Sequence, residues 1–136
     1  MFSLGTTTTL SVGAPPGTYF LRLRTQNVCG QSLPSNEVVL TVAPIQTPGP
    51  STNLAATVTG RSVVVTWHPP ASGVVTGYIL QAGSTSGLSN LAILSLGLQS
   101  SFTAPNVSPG TYYLRALAVN TAGAGPPSAE IIVVVP

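Results

Sequence analysis

The sequence predicts an all-β chain built as a two-sheet antiparallel sandwich, one complete copy preceded by the C-terminal half of another. Three observations carry this expectation. Thirteen Pro and 14 Gly in 136 residues interrupt any long helix, and the Val, Leu, Ala, Thr and Ser that dominate the rest suit short strands and tight turns. Apolar residues alternate with period two between turn residues, the mark of half-buried strands. Finally, a stretch near the N-terminus returns 93 residues later.

The repeat fixes the organisation. Gly17-Thr18-Tyr19-Phe20-Leu21-Arg22-Leu23 leads to Asn27 and Gly30 and then to Pro34-Ser35-Asn36-Glu37-Val38. Gly110-Thr111-Tyr112-Tyr113-Leu114-Arg115-Ala116 leads in the same way to Asn120 and Gly123 and then to Pro127-Ser128-Ala129-Glu130-Ile131. Leu4-Gly5 also resembles Leu96-Gly97, with a one-residue gap. A period this long means tandem domains, because solenoid repeats are much shorter. Between the copies, three prolines in residues 43–50 stiffen the backbone and exclude regular pairing. The expected division is a half copy in residues 1–43, a linker in 44–50 and a complete copy in 51–136, with the boundary near residue 47.

In the complete copy the alternation predicts strands over about 53–59, 62–67, 76–84, 90–96, 99–104, 111–120 and 129–135. Seven short strands in a unit of this length suit a sandwich. The half copy is expected to keep the last three strands. Parity sends Tyr112, Leu114, Ala116 and Ala118 inward together with Ile131, Val133 and Val135.

The order of these motifs resembles one known family. Leu54, then Val63-Val64-Val65-Thr66-Trp67-His68-Pro69-Pro70, then Gly77-Tyr78-Ile79-Leu80 look like the front half of fibronectin type III domains, an immunoglobulin-like sandwich. Pro109-Gly110-Thr111-Tyr112, Ala118-Val119-Asn120, Gly123, Gly125 and Pro127-Ser128 look like the back half. The resemblance covers nearly the whole chain. The wording around Ser89-Asn90-Leu91-Ala92 and Asn27-Val28-Cys29-Gly30 is similar to copies in large bacterial exported proteins. The resemblance implies a core around Trp67, Tyr78, Leu80, Tyr112 and Leu114, with Trp67 packed against Tyr112.

Charge excludes several function classes. Only Arg22, Arg24, Arg61, Arg115, Glu37 and Glu130 are formally charged. Four scattered arginines make no clustered patch for phosphates, so nucleic acid is not an expected partner. The longest aliphatic run, residues 131–135, is far too short to cross a bilayer, so membrane insertion is not expected. The first five residues lack the charged and apolar regions of a signal peptide.

Catalytic and metal-binding constellations are likewise missing. His68 has no Asp anywhere in the chain to orient it, so it reads as a loop residue rather than a general base. Glu37 and Glu130 occupy one position in two copies, which reads as cross-strand pairing with Arg24 or Arg115 rather than a carboxylate pair for glycoside cleavage. One His, one Cys and two Glu cannot supply a zinc or calcium site, and no cofactor is expected. Cys29 is the only cysteine, so an intrachain disulfide cannot form. Asn106-Val107-Ser108 fits a glycosylation acceptor but is followed by Pro109.

One surface feature survives. Tyr113, Leu117, Val119, Ile132 and Val134 share the outward face of the last strands, with Ile79 on a neighbouring strand, and a contiguous apolar patch there marks a contact surface. The expected function is a non-catalytic spacer or interaction module of a larger exported multidomain protein, extracellular or at the cell surface. Its partners are other domains of the same polypeptide or another protein chain, and self-association through the incomplete N-terminal half stays open. The alternative is a domain of a secreted hydrolase or adhesin that binds protein or polysaccharide through the loops 68–75 and 121–126. Those loops lack the aromatic rings of sugar platforms.

Overall fold

Every regular element in residues 2–136, the part that the computed structural model describes, is a strand. In chain order they are β1 (Gly17–Leu21), β2 (Gln26–Asn27), β3 (Gly30–Gln31), β4 (Val38–Val42), β5 (Thr52–Thr59), β6 (Ser62–His68), β7 (Gly77–Gly83), β8 (Ala92–Leu96), β9 (Ser101–Ala104), β10 (Gly110–Asn120), β11 (Gly123–Ala124) and β12 (Ile131–Val135). The chain divides into two units between Pro44 and Ile45.

The second unit opens with a hairpin. Thr59 pairs with Ser62 across Gly60-Arg61, and Gly60 takes a φ of 58°, the positive value that a two-residue hairpin turn requires. β6 pairs with β5 on one side and β9 on the other. The second sheet runs β8, β7, β10, and both β11 and β12 lie along the far side of β10. Every pairing is antiparallel. The two sheets enclose a core of Val63, Val65 and Trp67 from β6, Tyr78 and Leu80 from β7, Leu114, Ala116 and Ala118 from β10, and Val133 and Val135 from β12.

Trp67 meets Tyr78 edge to face, with ring centroids 5.6 Å apart. This corrects the expected contact with Tyr112. Ala118 is the cross-strand neighbour of Tyr78, and Tyr112 lies six residues earlier on β10, about 20 Å away at the strand rise. Tyr112 is half-buried against the core, and its hydroxyl donates to the Ser108 carbonyl at 2.8 Å. That bond pins the corner before β10, as a tyrosine does in other sandwiches of this kind.

The final strand is interrupted for a local reason. Pro126 and Pro127 have no N–H to give to a ladder. Ser128 restores it: its N–H donates to the Ala116 carbonyl at 2.8 Å, and its Oγ accepts from the Ala116 N–H at 3.0 Å. The strand expected over 129–135 is therefore β12 with a separate short β11 ahead of it.

The first unit repeats these details at the same spacing. The register Gly17↔Val42 to Leu21↔Val38 matches Gly110↔Val135 to Leu114↔Ile131. The Tyr19 hydroxyl donates to Pro15 at 2.6 Å, the counterpart of Tyr112 to Ser108. Ser35 bridges to Leu23 as Ser128 does to Ala116. Asn27 Oδ1 accepts from the Cys29 N–H as Asn120 Oδ1 accepts from Ala122, both at 2.8 Å.

Two expectations for this unit are corrected. The first of the three strands expected here, the counterpart of 99–104 at the 93-residue spacing, does not form over residues 6–11, because the matching strand of the second unit, β9, is held only by β6, and the described residues of the first unit hold no counterpart of β6. A lone strand has no ladder to join. For the same reason β1 stops at Leu21. In the second unit β10 continues to Asn120 because β7 pairs with residues 113–119. Glu37 pairs with Arg22, at 2.6 Å, rather than with Arg24.

Candidate functional site

The residues that could carry chemistry are dispersed. His68 ends β6 with its side chain exposed, and its ring Nδ1 lies 3.1 Å from the side-chain amide of Asn53, not from a hydroxyl or thiol. Cys29 sits exposed in the turn between β2 and β3. Among the described residues no three His, Cys, Asp or Glu side chains gather where they could hold a metal ion.

Glu130 belongs to a structural cluster on the outer face. It accepts from the Gly87 N–H at 2.9 Å, and Arg115 Nε stands 3.9 Å away. Arg115 Nη2 donates to Gln81 Oε1 at 3.2 Å and to the Gly87 carbonyl at 3.1 Å. The cluster thereby ties the loop after β7 onto β10 and β12. The Ser86 hydroxyl, then the Gly87 N–H and Arg115, hold the Glu130 carboxyl below the usual carboxylate range. A depressed acid stabilises the fold above its ordinary pKa and stops doing so as pH falls through the lowered value. Glu130→Gln is accordingly expected to melt below wild type at pH 6 and level with it near pH 2. Thermal melts at both pH values check this, and an equal gap at both would contradict it.

The segment after the unit boundary is built into the second unit. Pro48 is fully buried. The Gly49 N–H donates to the Ser72 carbonyl at 3.0 Å. Asn120 Nδ2 donates to both the Gln46 carbonyl, at 2.7 Å, and the Val74 carbonyl, at 3.0 Å. Gly73 and Gly125 press on Pro48 so closely that a Cβ on either would run into its backbone. Residues 46–49 are thus clamped between the loops 69–76 and 121–127. They overlap the loops 68–75 and 121–126 assigned above to ligand binding, and residues 46–49 of the chain itself lie against them. The expected boundary near residue 47 moves upstream to Pro44–Ile45. Sequence reasoning missed the clamp because a proline-rich linker carries no sign of which proline is buried.

The outward apolar residues do share one face. Leu117 stands across from Ile79, and Tyr113 across from Ile132. Ile79, Tyr113, Leu117 and Val119 are half-buried, while Ile132 and Val134 are exposed. Ile93 on β8, absent from the sequence reading, is exposed beside Gln81. In the first unit the positions matching Leu117, Val119 and Val134 hold Arg24, Gln26 and Thr41. Of these only Thr41 lies in the β1–β4 ladder; Arg24 and Gln26 fall beyond the end of β1.

Comparison with known proteins places this architecture. The model of the fibronectin type III domain matches residues 48–134. The cell adhesion molecule DSCAM of rat is 34% identical over 129 aligned residues, and the human protein 33%. Either alignment takes in 87% of this chain but only 6% of the relative, so the chain spans a small part of these proteins. Among solved structures, the FN1–FN3 domains of chicken CNTN1 superpose with a TM-score of 0.61 at 22% identity, over 90% of this chain and 44% of that one. The FN5 domain of Drosophila Lar gives 0.54 at 27%, over 65% of this chain and 97% of that one. These relatives are animal proteins and lend no support to a bacterial origin.

Proposed function

The chain belongs to the fibronectin type III family, and on that premise we propose that it is a non-catalytic spacer and interaction module of an extracellular, adhesion-type multidomain protein. The observation that carries the reading is the clamp on Pro48. A spacer must fix where its neighbour leaves the domain, and a linker with a buried proline and two backbone anchors, at Gln46 and Gly49, does so. The test is backbone ¹⁵N relaxation of the intact chain. Residues 46–49 are expected to be as rigid as the strands; relaxation typical of a free tether would sink the reading.

Within it, residues 1–43 are the back half of a second domain. Two observations support this: the bonds that recur at the 93-residue spacing, and the alignment with DSCAM. Residues 45–136 make up only about two thirds of the chain, so an alignment covering 87% of it reaches into residues 1–44.

A second reading is favoured by the outer face of β7, β10 and β12. Ile132 and Val134 stand exposed on this face, and with the half-buried Ile79, Tyr113, Leu117 and Val119 they suit contact with another domain or chain. Leu117→Ser with Val119→Ser is expected to weaken association while leaving the melting point within a few degrees. Unchanged sedimentation of the double variant would remove this reading.

A further inference from the structure

We infer that the sandwich of the second unit holds a binding site for a small neutral hydrocarbon, in a cavity of about 200 Å³ between its two sheets. The floor is Val63 and Val65 from β6, Leu80 from β7, Leu114 from β10 and Val133 from β12, all buried. The walls are half-buried: Ala92 and Leu94 on β8, Phe102 and Ala104 on β9. β12 lies against β5 on one side of the sandwich, which leaves β8 and β9 as the edge strands of the two sheets on the other. The cavity meets solvent on that side, where Leu91 at its rim is 49% exposed.

The space has a cause in the sequence. Ala82 and Ala92 are cross-strand neighbours in one sheet, and Ala104 stands across from Val63 in the other. All three line the cavity, and each leaves the volume that a larger inward residue would take. Toward the other end of the core, Trp67 and Tyr78 supply that bulk. Native interiors hold few voids larger than a water molecule, and a dry apolar cavity of about 150 Å³ is enough to take up benzene or xenon.

The lining selects the ligand. The described residues that form it are Val, Leu, Ala and Phe, with Tyr112 as the one polar side chain. The Tyr112 hydroxyl is already committed to the Ser108 carbonyl. A water molecule held inside needs two to four polar partners, which these side chains do not offer. A charged or hydrogen-bonding ligand would give up its hydration without gaining a partner. A hydrocarbon gives up little, and it restores the dispersion contacts that the lining atoms lack across the gap.

The experiment titrates the intact chain, carrying ¹³C-labelled methyl groups, with toluene. The methyl resonances of Val63, Leu80, Leu114 and Val133 are expected to shift and to saturate below the solubility limit of toluene, while Val28 and Val74, both far out in solvent, stay in place. Ala104→Leu fills part of the cavity from β9 and is expected to weaken binding at least about tenfold. Ala92→Leu does the same from β8 and replaces it should the first variant not fold, which the dispersion of the methyl spectrum reports. The absence of saturating shifts in the wild-type chain overturns the site. Undiminished binding by a folded filling variant does so too, because toluene would then lie elsewhere.

Discussion

Trp67→Ala is expected to remove a large share of the stability of residues 45–136. Trp67 is among the largest fully buried side chains and joins the two sheets, reaching from β6 to Tyr78 on β7. Truncating a buried aromatic costs about 3–5 kcal/mol, transfer and cavity together. A domain of this size holds roughly 5–15 kcal/mol in all, and each kcal/mol moves the melting point by about 4–8 °C. A fall of roughly 12–40 °C follows, readable by calorimetry or by near-ultraviolet dichroism. Trp67→Phe separates the two sources of the loss. The indole Nε1 is buried without a hydrogen-bond partner, so phenylalanine also removes an unsatisfied donor, whose burial costs about 1–3 kcal/mol. The Phe variant should thus retain far more stability than the Ala variant. A Trp67→Ala melt within 5 °C of wild type would mean that the sheets close over the gap and that β6 is not fixed by this contact.

Much of this core was legible in the sequence, for a physical reason. Alternation has a period of two, so one buried residue such as Val63 fixes the parity of Val65 and Trp67 on the same strand. What parity does not give is which inward residues meet. Trp67 and Tyr112 both point inward, yet they stand at different heights of the sandwich: the register of β7 on β10 sets Ala118, not Tyr112, level with Tyr78, the ring that Trp67 meets. The same limit applies to the strand expected over residues 6–11. Its residues have the pattern of a strand, but pairing belongs to the partner as much as to the segment, and the described residues of the first unit hold no counterpart of β6. The apolar outer face could be placed from parity alone, whereas the Arg115–Glu130 cluster across it needed the loop of Ser86 and Gly87 to fold back, which no period predicts.

Gly125→Ala is expected to open the clamp. The glycine is buried, and its N–H donates to the Ala118 carbonyl at 2.9 Å, so its backbone cannot retreat without breaking that bond. A Cβ there would collide with the Pro48 carbonyl and come within 3.2 Å of the Gly49 carbonyl. These are backbone atoms, not the end of a flexible side chain, so residues 46–49 must move. Overpacking of this kind costs about 1–3 kcal/mol, and its effect should concentrate at the joint. Amides of residues 46–50 and 72–76 are expected to exchange at least tenfold faster, while those of β6 and β10 near Trp67 change little. Gly123→Ala supplies the contrast. Gly123 has open space, with only the Thr47 methyl at 3.8 Å, but its φ of 128° is one that alanine rarely adopts. That variant should lose stability through backbone strain and leave the linker protected. If both variants release residues 46–50 equally, the joint depends on the shape of the whole 121–127 loop. If neither does, Pro48 is held by the Asn120 amide and the Gly49 N–H without help from the glycine. Release by Gly125→Ala alone would show that an absent side chain gives this module its stiff joint, because only a glycine lets the loop close over the proline.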